Sequence, residues 1–510
     1  MFRKVLIANR GEIAVRVARA CRALGIRSAA IHSEADRDAL HVAEADEAHL
    51  CGPAPARESY LRGERIVEIA KRCGAEAIHP GYGFLSENAD FAERCAANGL
   101  VWIGPPAGVI RRMGDKAVAR RTMQDAGVPV VPGATERLDD AQVADAARRI
   151  GFPVLVKATG GGGGRGMRAV RAEAELAAAL ARARSEAGAS FGDDGVYVEK
   201  LIEGARHIEV QLLADAHGEV VQLFERDCST QRRHQKLVEE APAPGLAPAL
   251  RERLGAAALT AARAVGYTSA GTVEFLLAPD GAFHFLEMNT RIQVEHPVTE
   301  AVTGVDLVEA MLRIAAGEKL GLRQAELSLS GCAIEARIYA EDPAKGFLPS
   351  PGRLSVFRPP SGPGLRVDAG VTAGSEVTVH YDALLAKLVA VAATRDEALA
   401  RLDAALRDFA IAGVRTSIPF QRWLLRQPDF RAGRVDVGFV ERSWPKGGAA
   451  PIEPSLRARA ERAARAALSG GAAVMAAHHV EAGAAVTVRP KVVDVLVEGD
   501  LFSFPREELA

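Results

Sequence analysis

The chain has 510 residues, enough for about three domains with sizeable cores. Lys+Arg number 64 and Asp+Glu 65, a formal charge of -1. That balance argues against a general nucleic-acid-binding surface and against a polybasic membrane anchor, while leaving room for a local basic pocket. No apolar run reaches the ~18 residues of a membrane span, and the N-terminus lacks the pattern of a signal peptide. Cys21, Cys51, Cys73, Cys95, Cys228 and Cys332 are scattered without a CxxC pair. They are expected to be free thiols in a reducing cytoplasm.

The first hundred residues alternate between strand and helix patterns. KVLIAN predicts a strand, GEIAVRVARACRALG an amphipathic helix and SAAIHS a second strand. An acidic segment follows, EADRDALHVAEADEA, and then a helix (RIVEIAKRCG), a strand (AEAIHP), a helix (NADFAERCAANG) and LVWIG. This order implies a parallel sheet covered by helices, with polar turns at the strand ends where such folds place ligands. A helix is expected from Lys116 to Ala126. A small α+β unit is expected from about Val130 to Glu203, with a helix over 139–150 and strands FPVLVKA, MRAVR and GVYVEKLI.

Inside that unit lies VKATGGGGGRGMRAV, with Gly160 to Gly164 and Gly166. Such a run is entropically costly unless the backbone must approach something closely or move. It is not a P-loop, because no GK[ST] opens a helix after it, and not a Rossmann turn, because it joins two strands. It is expected to be a hairpin tip that folds over a phosphate with backbone N–H donors, Lys157 standing just before it.

HIEVQLLADAHGEVVQLFERDCS predicts a hairpin turning near His217-Gly218, and GTVEFLLAPDGAFHFLEMN one turning at Pro279–Ala282. A four-residue loop in the second places Glu274 opposite Glu287. Opposed like charges are unfavourable on a sheet unless a cation binds between them. Asn289 would face the same side, completing a hard-oxygen set suited to Mg²⁺. TRIQVEHP then adds Arg291, able to grip a planar oxyanion, and Glu295, able to take a proton. ERDCSTQRRHQKLVEE concentrates Arg226, Arg232, Arg233, His234 and Lys236 near Glu239 and Glu240. Taken alone, that cluster is as consistent with a solvated charged face as with an anion site. Ser330 to about Val437 is expected to hold more strands and two helices. KGGAAPIEPS then reads as a linker, followed by a short Ala/Arg helix and two or three strands.

Together these stretches resemble one family. ANRGEIAVRV, HPGYGFLSENADFA, MGDK, KATGGGGGRGM, ERDCSTQRRHQK, EEAPAPG, EMNTRIQVEHPVTE, EARIYAED and FLPSPG are similar to biotin carboxylase, the ATP-grasp component of biotin-dependent carboxylases, over about residues 1–445. The resemblance implies an α/β and α+β architecture. Its parts would be a Rossmann-like N-terminal domain (1–115), an ATP-grasp region (116–316) with a mobile glycine-rich lid at about 130–203, a mixed C-terminal domain (331–440) and a tail (446–510).

It also implies roles. Lys116 and Lys157 would contact the ATP phosphates, with Gly162, Gly163, Gly164, Gly166 and Met167 closing over the nucleotide. Glu199, Lys200 and Ile202 would line the adenine pocket, and His207, Gln231 and His234 would lie near the ribose or phosphates. Glu274, Glu287 and Asn289 would hold Mg²⁺ or Mn²⁺. Lys236, Arg291, Gln293 and the Val294 backbone would surround bicarbonate, with Glu295 as the base. Arg337 would face the biotin ureido oxygen, and Tyr82 the biotin ring. The implied reaction is ATP-dependent carboxylation of biotin through carboxyphosphate, the first half-reaction of an acyl-CoA carboxylase. Another ATP-grasp carboxylate ligase would share the lid and metal acids but lack the Arg337 context. A non-catalytic nucleotide-binding regulator would have lost some of the acids.

None of the seven methionines adjoins a lysine, so the biotinylation pattern of the family's carrier domain is missing. The carrier and carboxyltransferase are therefore expected on separate polypeptides. A homodimer is expected from the resemblance. The tail is expected to be either a docking element for these partners or an appendage packed on the core.

Overall fold

The computed structural model describes residues 1–158, 167–191, 194–445, 454–469, 477–480, 484–488, 492–497 and 500–509. The expected parallel sheet is present. β1 (Lys4–Ile7), β2 (Arg27–Ser33), β3 (Glu47–Gly52), β4 (Ala77–His79) and β5 (Val101–Trp102) lie in the order β3-β2-β1-β4-β5, all parallel. Val5, Leu6 and Ile7 are fully buried on the central strand, as both faces of a helix-covered sheet require. The edge strand β3 replaces part of what reads as an acidic segment. Its EAHLCG lacks an apolar run because it is half-exposed. Polar contacts hold it in place: Lys4 to Glu47 at 2.7 Å, and the Ser28 N–H to the preceding Asp46 at 2.7 Å.

A second, antiparallel sheet forms the small unit. β6 (Gly133–Leu138), β7 (Val154–Ala158), β8 (Met167–Val170) and β9 (Val196–Lys200) lie in the order β6-β9-β7-β8. Two helices, Asp140–Ile150 and Leu176–Phe191, cover it over a core of Val143, Val154, Val156, Leu180, Val196 and Val198. β7 and β8 pair directly, Lys157 against Met167, so the glycine run does join two adjacent strands. Gly162, Gly163, Gly164 and Gly166 themselves lie outside the described residues.

The largest layer is an antiparallel sheet of eight strands. It contains β10 (Arg206–Ala214), β11 (Val220–Arg232), β12 (Gln235–Ala241), β13 (Ser269–Leu277), β14 (Phe283–Asn289), β15 (Cys332–Tyr339) and strands Leu365–Ala369 and Leu384–Ala392. The spatial order is β14-β13-β10-β11-β12-β15, then Leu384–Ala392 and Leu365–Ala369. The division expected between 316 and 331 thus runs through one continuous sheet, joined at the β12–β15 pairing.

Strand alternation sorts the faces. On β10 and β13, Ile208, Val210, Leu212, Val273 and Phe275 pack with the helix Pro248–Val265 in one core. Glu209, Gln211, Thr272 and Glu274 point to the other face. At the C-terminal end, helix Arg395–Asp408, opened by a Thr394/Glu397 capping box, packs Leu399, Leu402 and Leu406 with Leu388, Ile334 and Ile338.

The β13–β14 hairpin reaches the expected register by two departures that cancel. The loop is one residue shorter than expected, since Ala278 donates to the Ala282 carbonyl at 2.8 Å, and Gly281 supplies the left-handed turn residue at φ 83°. A bulge after Glu274 then restores the Glu274–Glu287 pairing. The described residues of the tail hold a helix, Pro454–Ser469, and four antiparallel strands: three from the stretch that begins AAVTV, as expected, and Ala477–Val480 before it. Val486, Val488, Val493, Val495, Val497, Phe502 and Phe504 form a core of its own with Ala460 and Ala464.

Gly271 lies on β13 where a Cβ would meet the Tyr267 hydroxyl at 2.2 Å, and that hydroxyl donates to Ala270 O at 2.9 Å. Gly271→Ala is therefore expected to destabilise the central sheet by about 1–3 kcal/mol, read as a lower urea-unfolding midpoint.

Candidate active site

The polar face of the large sheet carries a row of charges. Arg226, Glu209, Glu274 and Glu287 are successive cross-strand partners on β11, β10, β13 and β14. Three glutamates side by side cannot stay ionised without cations between them. Arg226 supplies one. It is fully buried, and all its N–H groups are used. Its Nε donates to Glu209 at 2.6 Å, and its terminal nitrogens donate to Gln211 (2.7 Å), Thr299 (2.9 Å), Thr272 (3.2 Å) and Gln293 (2.7 Å).

Lys236, at the start of β12, supplies the other. Its Nζ lies 2.5 Å from Glu209, 2.8 Å from Glu274 and 2.6 Å from Glu295, one acceptor for each ammonium hydrogen. Burial works against these charges, but the cations win. Glu209 is held down at about 2 by Lys236 and Arg226. Lys236 and His207 hold Glu274 well below the usual carboxylate range, and Lys236, with Arg337 and Arg226, lowers Glu295. Glu287 behaves oppositely: burial and the neighbouring Glu274 charge raise it, with Lys116 pulling the other way. A divalent cation between Glu274 and Glu287 would remove that repulsion, so the donor set suits a hard metal ion.

The segment after β14 brings the remaining candidates to this face. Arg291 donates from Nε to Glu87 at 2.8 Å and from a terminal nitrogen to Asn289 Oδ1 at 2.9 Å. The Asn289 oxygen, expected to face a metal, is thus engaged by Arg291, while its amide donates to Glu274 at 2.8 Å. Gln293 donates to Glu274 at 2.8 Å. Glu295 caps the segment, with one oxygen on Lys236 and the other 2.9 Å from Arg337. Arg337 also donates to Glu239 at 2.6 Å, and burial raises Glu239 to about 7 against that pull.

His207 lies 2.9 Å from Glu274, and burial, which opposes its charge, is outweighed so that its pKa rises. Gln231 stands beside it, 2.8 Å from Nδ1. Arg233 and His234 form the two-residue β11–β12 turn, both left-handed at φ 49° and 65°, which places His234 at an exposed, strained tip.

The candidates near the small sheet lie apart from this cluster. Lys157 pairs with Glu199, whose other oxygen takes a hydrogen bond from Arg120 at 3.0 Å. Lys200 spends its ammonium on the carbonyls of Gly151 (2.9 Å) and Phe152 (3.1 Å), and its N–H on Pro132 (2.7 Å). Ile202 and Met167 are half-buried, and Lys116 is exposed at the start of helix Lys116–Asp125. The Tyr82 hydroxyl donates to Glu12. Sequence reasoning missed Glu209, Glu87, Glu12 and Lys387. Glu209 had a signal: a charged residue at the polar phase of an otherwise apolar strand, facing Arg226 across a readable hairpin.

Three family models match in succession. They are the biotin carboxylase N-terminal domain over residues 1–110, the carbamoyl-phosphate synthase L chain ATP-binding domain over 115–323, and the biotin carboxylase C-terminal domain over 335–442. With the charged antiparallel sheet and the small lid-like sheet, they define an ATP-grasp ligase. Biotin carboxylase 1 of Bacillus subtilis is 51% identical over 443 residues, 86% of this chain and 98% of that protein. The mitochondrial methylcrotonoyl-CoA carboxylase subunit alpha of Rattus norvegicus is 53% identical over 440 residues, 86% of this chain and 61% of that one. The biotin carboxylase domain dimer of the Hydrogenobacter thermophilus 2-oxoglutarate carboxylase, solved with MgADP, ADP and bicarbonate, superposes with a TM-score of 0.83 at 49% identity, covering 87% of this chain and 98% of that one. The chain belongs to the biotin carboxylase family.

Glu209 tests the charge row. Its folded-state pKa of about 2 lies below the ordinary 4.5, so its contribution to stability is present above about pH 4.5 and is lost as pH falls towards about 2. Glu209→Gln is expected to lower stability at pH 7 by about 3 kcal/mol and to flatten the acid loss, read from urea-unfolding midpoints between pH 7 and 3.

Proposed function

We propose that the chain carboxylates biotin held on a separate carrier protein, using bicarbonate and ATP, with the residues of the charged sheet face in the following roles. The observation that carries this reading is the meeting of Lys236, Glu295 and Arg337: a base held ionised between two cations, one beside the metal acid Glu274 and one reaching the opposite side.

Bicarbonate is planar and anionic. Arg291, Lys236, the Gln293 amide and the Val294 N–H surround it, offering charge and directed donors. Glu295 takes its proton, and the resulting carbonate oxygen attacks the γ-phosphorus of ATP to give carboxyphosphate and ADP. Lys236 and Arg337 lower Glu295, which makes it a weaker base but keeps it deprotonated and ready. The same cations favour the more negative carbonate, so the proton moves inside a field that supports its departure. Glu274 and Glu287, with Asn289 beside them, hold Mg²⁺ or Mn²⁺, which when bound offsets phosphate charge. Lys116, Lys157 and the glycine run 162–166 with Met167 attend the phosphates. Glu199, Lys200 and Ile202 wall the adenine, and His207, Gln231 and His234 lie towards the ribose and phosphates.

Carboxyphosphate then splits into CO₂ and phosphate next to biotin, and the phosphate takes the N1′ proton as the N1′–C bond forms. Arg337 donates to the ureido oxygen, stabilising the enolate-like charge as N1′ attacks, and Tyr82 packs near the ring. In this sequence Arg337 exchanges its contact with Glu295 for one with biotin while Glu239 keeps its orientation.

No lysine of residues 1–510 adjoins a methionine, so in this reading the biotin is carried on a lysine outside these residues. A homodimer is supported by the dimeric H. thermophilus relative. A cytoplasmic location is supported by six unpaired cysteines; no helix among the described residues is long and apolar enough to cross a membrane. The working units are 1–115, 116–316 with the lid at about 130–203, 331–440 and the tail 446–510.

The test is ATP hydrolysis that depends on bicarbonate and is stimulated by free biotin. Glu295→Gln is expected to lower the bicarbonate-dependent rate by ~10²–10⁴, and an unchanged rate overturns its role as base. Arg337→Ala is expected to retain ATP affinity while losing ~10²–10³ in carboxylation of free biotin, and full carboxylation overturns its assignment.

A further inference from the structure

Lys387 interrupts the apolar run LLAKLVAVAA and is fully buried. It stands directly opposite Arg337 on the neighbouring strand. Two opposed cations in a sheet interior need separate compensation. Arg337 has Glu239 and Glu295. Lys387 has Glu12 at 3.0 Å and Asp368 at 3.8 Å. The Lys387 ammonium also donates to the Val294 carbonyl at 2.9 Å. The paired cations therefore hold adjacent residues of one loop: Arg337 the Glu295 carboxylate, Lys387 the Val294 main chain.

The anchors of Lys387 come from different parts of the fold. Glu12 lies in helix Gly11–Ala23 of the parallel-sheet domain, and the oxygen facing Lys387 also accepts from Tyr82. Asp368 lies on strand Leu365–Ala369 and is itself fixed by Arg366 at 2.7 Å. Arg366 reaches on to Glu300 at 2.6 Å, in the helix that Glu295 opens. A carbonyl held this way fixes the plane of the Val294–Glu295 peptide. That plane sets the origin of the Glu295 main chain and side chain, and across the Val294 Cα it restrains the preceding peptide, which carries the Val294 N–H.

We propose that Lys387, balanced by Glu12, is a positioning residue that sets the Val294–Glu295 peptide and with it the geometry in which bicarbonate is bound and deprotonated. This assignment deepens the proposed function and rests on it.

The test is the steady-state rate of bicarbonate-dependent ATP hydrolysis by the full chain, with each variant's folding checked by thermal unfolding. Lys387→Met is expected to raise the KM for bicarbonate ~10-fold or more while the KM for ATP stays within about twofold, because a small displacement of a binding loop is costly for the small anion and not for the nucleotide. Glu12→Gln keeps an acceptor for the lysine, folds more readily and is expected to raise the bicarbonate KM about threefold. The double variant is expected to be no worse than Lys387→Met alone, as for two residues acting as one unit. A bicarbonate KM within about twofold of the parent in a folded Lys387→Met chain overturns the proposal. So do equal rises in both KM values, or failure of both variants to fold, which would assign the pair to stability. A parent chain without bicarbonate-dependent hydrolysis overturns the reaction itself, and the assignment falls with it.

Discussion

Five side chains close a ring. Lys236 bonds Glu209 at 2.5 Å, Glu209 bonds Arg226 at 2.6 Å, Arg226 bonds Gln293 at 2.7 Å, Gln293 bonds Glu274 at 2.8 Å, and Glu274 returns to Lys236 at 2.8 Å. Each member comes from a different strand or from the loop after β14. In a buried site such a ring is costly unless complete, since one missing partner strands a charge. Complete, it does three things together. It keeps Glu274 anionic, it holds Lys236 against Glu295, and it aims the Gln293 amide. The chemistry of phosphoryl transfer is mostly positioning and electrostatics, and both are supplied here by one closed set of bonds.

The ring sits on the large sheet, while Lys157, Met167, Glu199 and Lys200 sit on the small one. Arg120 ties helix Lys116–Asp125 to the small sheet through Glu199 and the carbonyl of Gly133, and Phe285 on β14 donates to the Pro129 carbonyl at 2.6 Å, just before that sheet begins. The Lys157–Glu199 pair belongs to the first of these links. In the proposed function a nucleotide phosphate competes with Glu199 for the Lys157 ammonium, which would couple nucleotide binding to the arrangement of the small sheet.

Much of this site is legible in the sequence. The Glu274–Glu287 opposition followed from strand alternation and a turn, although the loop was one residue shorter than read and a bulge repaired the difference. Neither departure has a sequence signature as strong as the alternation itself. β3 was hidden because an exposed edge strand needs no apolar run, and its order depends on Lys4 and Ser28, distant in sequence. Lys387 read only as a flaw in an apolar stretch. Its meaning lies in Glu12 and Val294, hundreds of residues or about ninety residues away, brought together only by the fold. The family resemblance, carried by long contiguous motifs, is readable in the sequence; partners that meet across domains are not.

The β12–β15 seam has a consequence for anyone dissecting the molecule. Cutting the chain near 320 would leave each half with a raw sheet edge: β12 with Val238 and Glu239 unpaired on one side, β15 with its mates Ala336 and Glu335 on the other. Open edges of this kind recruit other strands. Glu295 and its guanidinium partner Arg337 would also part company, one on each fragment. The two regions are therefore best regarded as one mechanical plate. Swapping the C-terminal part between relatives would transplant three of the sheet's eight strands, and would succeed only where the seam strands are exchanged as a pair.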